Sequence, residues 1–284
     1  MKNLTAKKLI KKNEFWVFIV IVLLGILIQT RSGMFFTMVN FCDLSRAAMY
    51  TMLMALGQYL VIVSGGLDIA FPAIAALSMY VPMKYMVIDT NYGGSMLWPI
   101  LISMALGLIM GAFNGFLVGK LNITPLIVTI GTCSIFRGFM MGALNAQVYT
   151  WVPDVVKDLS ESNLFVYYSE ATGITSRMST LILVPIAFVF LTLFITKYTR
   201  LGRGIFAVGG DLVSAKRAGF NTTFIFIFVY AYNGMLSALA AMIRTILLTT
   251  VQPASFNTID MTIISMVVIG GSAIGGGTGT IRST

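Results

Sequence analysis

Apolar runs of about 20 residues succeed one another along this chain, each long enough to cross a hydrocarbon layer as a helix. No other feature limits the fold as much, because a segment in lipid must satisfy its own backbone as a helix or a closed barrel. Only 10% of the 284 residues are charged and 57% are hydrophobic, whereas a soluble domain carries about 25% charged residues. Such a chain cannot cover its surface in water, so lipid is part of its solvent. The expected class is an all-α integral membrane protein, a polytopic helical bundle forming one domain over residues 1–284. Spans are expected at 15–31, 45–63, 69–88, 96–118, 123–144, 179–197 and 223–247, and a shorter apolar run at 261–274 reads as a broken or re-entrant helix. That makes about eight hydrophobic segments.

Charge sets the orientation. Lys2, Lys7, Lys8, Lys11 and Lys12 precede the run from Phe15 to Ile28, which lacks a small-x-small cleavage site and so reads as a first span rather than a signal peptide. The segment 198–222 is basic, through Arg200, Arg203, Lys216 and Arg217 against Asp211. The segment 145–178 is acidic, with Asp154, Asp158, Glu161 and Glu170 against Lys157 and Arg177. Basic short loops stay in the cytoplasm. A cytoplasmic N-terminal tail at 1–14, an external loop at 145–178 and a cytoplasmic loop at 198–222 satisfy both biases, with 64–68 and 119–122 also inside. The net charge of +9 is therefore topology and not a nucleic-acid site. His is absent, and Cys42 and Cys133 lie in different apolar runs, which excludes zinc and His-based acid–base chemistry and argues against a disulfide.

One interruption stands out, "VSGGLDIAFP" from Val63 to Pro72, where Gly65, Gly66, Asp68 and Pro72 break an otherwise continuous apolar stretch. Asp68 has two roles open to it, which can coexist. As a cap it would take amides of Ala70 or Phe71 at the start of the next span, with Pro72 in the first turn. As part of a gate it would bond a partner helix end across glycines that permit close backbone approach. Asn114, beside Gly111 and Gly115, can serve helix packing or touch solute. Arg137 lies within an apolar stretch, where a lone cation is costly, so it needs a partner, water or a place on a pathway. Gln58 beside Tyr59 and Asn233 beside Gly234 read as interhelical bonds, and Arg244 as a snorkelling cation.

The segment "TRLGRGIFAVGGDLVSAKRAGFN" is too polar for lipid and too patterned for a linker. Asp211 suits the start of a short helix, Lys216 and Arg217 its end, and Gly219 its stop. With Ala215 at its centre, that helix is either a solvated connector or a surface for another protein.

Taken in order, "GG-x-D-I" at Gly65–Ile69, "GAFNGFLVGKLNITP" with Asn114 and Gly115, "TPLIVTIGT", Arg137-Gly138, the glycine-rich loop from Gly202 to Gly219 and the pattern from Ile269 to Thr280 resemble the permease subunit of bacterial sugar-type ABC importers, the ribose/xylose/galactose transport family. The likeness spans nearly the whole chain. It departs at Ile69-Ala70-Phe71-Pro72, where members usually read Leu-Ser-Val-Gly, and members usually continue for about two spans beyond the last pattern, so the C-terminal end is expected to be incomplete. The resemblance implies a type II importer-like permease in the bacterial inner membrane that is not itself an enzyme and binds no cofactor. ATP-Mg would be used by a separate ATPase subunit gripping Gly202, Arg203, Gly209, Gly210, Asp211, Ala215 and Gly219. A periplasmic or lipid-anchored binding protein and a second permease chain would complete the system. Gly65, Gly66, Asp68, Asn114 and Arg137 would belong to the pathway or gate of a sugar-like solute. A stand-alone secondary transporter or channel is disfavoured because only Arg137 is deep enough for ion coupling, and a membrane-embedded enzyme because the acids are scattered.

Overall fold

The computed structural model describes residues 13–169 and 173–281; the tail 1–12 and the acid Glu170 lie outside them. In chain order the helices are α1 (Asn13–Ser32), α2 (Met38–Val63), α3 (Phe71–Pro82), α4 (Leu97–Leu121), α5 (Pro125–Gly142), α6 (Asp154–Ser160), α7 (Leu183–Tyr198), α8 (Arg200–Gly210), α9 (Leu212–Arg217), α10 (Thr222–Leu248) and α11 (Ile259–Ile269). An antiparallel hairpin of β1 (Asn163–Ser169) and β2 (Ile174–Ser179) lies between α6 and α7. Among the described residues six helical segments are long and apolar enough to cross a membrane, and two shorter ones, Ile19–Ser32 and Pro253–Ile269, accompany them. The second of these is the expected short run, and α11 within it spans only 11 residues.

Burial divides the spans into a core and a rim. Of the most apolar window of α2, of α3 with its extension to Ile88, and of α10, 67, 72 and 72% is buried. For α4, α5 and α7 with its leading 3₁₀ turn the shares are 28, 28 and 17%, so these three turn most of their surface outward. Helix α10 is the central post, packed on α4, α2 and α3. Apolar side chains gain little by leaving lipid for a neighbouring helix, so close backbone contact must do the work. Gly107, Gly111, Gly115 and Gly119 repeat every four residues along α4 and form one row against α10. A Cβ on Gly111 would stand 2.2 Å from the Tyr230 carbonyl oxygen, and one on Gly107 2.4 Å from that of Gly234. At the end of the row the Thr223 hydroxyl donates to the Gly119 carbonyl at 2.9 Å.

Helix α2 runs antiparallel to α10: the Arg46 guanidinium reaches the Leu247 carbonyl, and further along Asn233 bonds Gln58. Helix α3 starts beside the end of α2 and returns toward the same end of the bundle, where Tyr80 accepts from the Gln147 amide and Lys84 donates to the Leu144 carbonyl. Past Pro82 it widens into a π-helical turn at Met83–Ile88, as a proline that cannot donate into the ladder favours. The insertion 145–179 sits at this end and is tied to the α10–α11 link by a bridge between Tyr149 and Val251.

The Arg244 guanidinium lies over the Tyr50 and Phe256 rings and donates to the Ser255 hydroxyl. The glycine-rich run after α11 is paired internally: the Gly277 amide donates to the Val63 carbonyl at 2.9 Å and Tyr59 donates to the Gly279 carbonyl at 3.3 Å.

Candidate functional site

The break between α2 and α3 is built residue by residue. Helix α2 closes with the Gly65 amide on the Ile62 carbonyl (2.9 Å) and the Gly66 amide on the Val61 carbonyl (3.0 Å). Gly65 takes φ +80°, a left-handed turn that glycine adopts without strain. Gly66 has no room for a side chain, since a Cβ there would lie 2.7 Å from the Tyr230 hydroxyl. The chain then turns inward: Gly65 is exposed and Asp68 has no exposed surface.

Several polar groups freed by the break are met by other segments, as the lack of water in a membrane interior favours. Thr129 on α5 donates to the Leu67 carbonyl (3.3 Å), and Gln58 on α2 to the Asp68 carbonyl (3.2 Å). One carboxylate oxygen of Asp68 accepts from the Ala70 amide at 2.7 Å, the other from Asn233 Nδ2 on α10 at 2.9 Å. Asn233 Nδ2 also reaches Gln58 Oε1 at 3.2 Å. Asp68 is thus the hub joining α2, α3 and α10. It caps the approach to α3 rather than the helix itself, whose N-cap, Ala70, has no side-chain bond and is followed by Pro72. Nor is Asp68 at an interface loop, as 64–68 was expected to be. Its partner Asn233 lies well inside α10, about 16 Å from the Thr222 end at 1.5 Å per residue.

Beneath the break lies the 198–222 segment. Helix α9 forms where a short helix is expected, with Asp211 accepting from the Val213 and Ser214 amides and Gly219 at φ +83° just past its end. Hydrogen bonds from Ser214 hold the exposed Asp211 carboxyl below its ordinary range. The cap is therefore in place above the ordinary carboxylate pKa and is lost only as pH falls through the lowered value. Helix α8 is a finding the sequence reading lacks, four glycines notwithstanding. Thr199 caps it through the Gly202 amide, Ile205 and Val208 are buried, and Gly202 seats against the end of α7. Gly209 touches the end of α2: a Cβ on it would lie 1.9 Å from the Val63 carbonyl oxygen. Gly276, at φ +83°, approaches both Gly65 and Gly209. Loop, break and C-terminal glycines therefore meet at one point. Arg203 and Gly210 face outward, and Ala215 is buried.

The two remaining site candidates make no hydrogen bond to this junction among the described residues. Asn114 is fully buried, with neither amide atom hydrogen-bonded among the described residues, between the packed Gly111 and Gly115. Arg137 is half-buried in the last turns of α5, nearer the insertion end than its place in the apolar run suggests, and donates to the Asn257 carbonyl at 3.2 Å. Thr129 and Gly276 lie in stretches that the sequence singles out, but their place at this junction is not legible there, because nothing in their local pattern marks a partner so distant in the chain.

A polytopic helical bundle whose core contains a broken helix, locked by side chains from three others and seated on a glycine-rich loop, defines a membrane-embedded permease. The chain belongs to the family described as branched-chain amino acid transport system / permease component, which matches residues 40–284. It is 30% identical over 269 residues to the ribose import permease protein of Escherichia coli strain K12, covering 94% of this chain and 79% of that one. It is 29% identical to the D-allose transport system permease protein of the same strain, over 94% of this chain and 77% of that one. It is 27% identical to the autoinducer 2 import system permease protein of Yersinia pseudotuberculosis, over 87 and 66%. No solved structure matches it.

Proposed function

We propose that this chain is the membrane-spanning subunit of an ATP-driven importer that carries a monosaccharide or similar small polar solute across the bacterial inner membrane, with its N-terminus in the cytoplasm. The observation carrying this reading is the likeness over nearly the whole chain to permeases named for ribose and D-allose. Helices α8 and α9 are the surface for a separate ATPase that uses ATP-Mg. Arg203, Gly210 and Asp211 lie on its open side, while Gly202, Gly209, Ala215 and Gly219 set its backbone. A binding protein delivers solute at the insertion end, and a second permease chain completes the pathway.

Coupling follows from the junction. Gly209 lies against the end of α2, and Gly65 and Gly66 end that helix beside Asp68. A shift of α8 driven by the ATPase would act on the break directly, biasing outward- and inward-open states. Gly65, Gly66 and Asp68 form the gate in this reading; Asn114 and Arg137 are assigned to the pathway.

The test is reconstitution in proteoliposomes with the ATPase and binding protein encoded beside it. ATP-dependent uptake of radiolabelled D-ribose or D-allose is expected. Absence of ATP-dependent uptake of any monosaccharide by an assembled complex would refute the proposal. In the same preparation Ala215→Pro is expected to prevent co-purification of the ATPase while the chain still inserts. Proline removes the bond from the residue 215 amide to the Asp211 carbonyl and costs a helix about 3 kcal/mol. Normal co-purification would leave α9 as a connector only.

A further inference from the structure

At the insertion end, between α2 and α10, lies a cavity of about 390 Å³. Its α2 wall is Asp43, Arg46, Ala47 and Tyr50, spaced i, i+3, i+4 and i+7 so that they share one helical face. Arg244 lines it from α10. That guanidinium is fixed in place, over the Tyr50 ring at 5.7 Å and the Phe256 ring at 5.2 Å, and bonded to Ser255. Arg46 makes only a long contact, 3.5 Å, to the Leu247 carbonyl, which leaves most of its five donors unused. Asp43 is exposed and forms no ion pair among the described residues.

The mixture of signs restricts the ligand to one that meets both, a polyol or a zwitterion, and the permease reading above selects the polyol. A phosphate or carboxylate drawn to the guanidiniums would face the Asp43 carboxylate, and an ammonium ion drawn to Asp43 would face two guanidiniums. A sugar hydroxyl accepts from a guanidinium and donates to a carboxylate, so a neutral polyol can use both kinds of group at once. The volume lies at the small end of the range of roughly 300–1,000 Å³ for small-molecule sites, as a single sugar ring requires.

We infer that this cavity is a receiving site for a neutral monosaccharide, where solute is held before it reaches the gate; this rests on the permease reading above. Asp43 accepts from the hydroxyls, Arg46 and Arg244 donate to them, and Tyr50 fixes Arg244.

The test uses the full chain in lipid nanodiscs with Ala47→Cys as a reporter, since Cys42 and Cys133 are buried. A site that must also release its ligand binds in the millimolar range, so about 100 mM sugar fills it nearly completely. D-ribose or D-allose is expected to slow maleimide modification of the residue 47 thiol about tenfold and saturably, with glycerol as the viscosity control. Asp43→Asn and Arg46→Gln change the charge beside the reporter thiol and so its sugar-free rate; each is expected to react equally fast with and without sugar, losing the protection. Equal rates with and without both sugars, or protection by inorganic phosphate or by a zwitterionic amino acid such as leucine instead, would overturn the site. ATP-driven uptake by the complete system separates the two readings: uptake without protection removes the receiving site and leaves the permease intact, and loss of both removes both.

Discussion

Asn233→Leu is expected to destabilise the bundle by about 2–5 kcal/mol, because it removes the one side-chain donor that the fully buried Asp68 carboxyl has among the described residues. The unfolding midpoint in detergent and the yield of monodisperse protein should both drop. Asn233→Asp should be at least as harmful, since it sets a second carboxylate against the first. A double-mutant cycle with Asp68→Asn should give a coupling of about 1 kcal/mol or more. Strict additivity would mean that the Asp68–Asn233 bond contributes nothing to holding α3 on α10.

The second large effect is steric. Gly111→Leu should prevent α4 from docking on α10, because even its Cβ would stand 2.2 Å from a backbone oxygen and no side-chain rotation relieves that. Gly111→Ala should already reduce folded yield several-fold. Gly138, within α5, has open space where its Cβ would be, so Gly138→Ala is expected to be neutral or to stabilise the helix by up to about 1 kcal/mol. Equal tolerance at both positions would show that α4 and α10 do not rely on backbone proximity.

The spans were legible because lipid imposes their length and polarity locally, and each expected run overlaps a helix of the structure. The break at Gly65–Asp68 was legible for the same reason, since a glycine pair followed by an acid and a proline is out of place inside a lipid-spanning helix. Its partners were not. Gln58 and Asn233 could each be read as an interhelical bond, but only tertiary packing brings both to Asp68. Helix α8 was hidden by glycines of low helix propensity, and it forms because Ile205 and Val208 bury against the bundle. The hairpin was missed because attention to helical period passes over a strand-like run such as "NLFVYYS".

The last carbonyl of α2, that of Val63, finds its partner in the amide of Gly277, a residue far later in the chain. A ribosome releases these two groups far apart in time, and membrane helices enter the bilayer in order as they are made. The end of α2 therefore stays open until the glycines that close it have been made. Closure of this junction is a late step in assembly, with a long loop to be paid for in entropy. Quality-control proteases that sample half-inserted chains would meet α2 with that end still open.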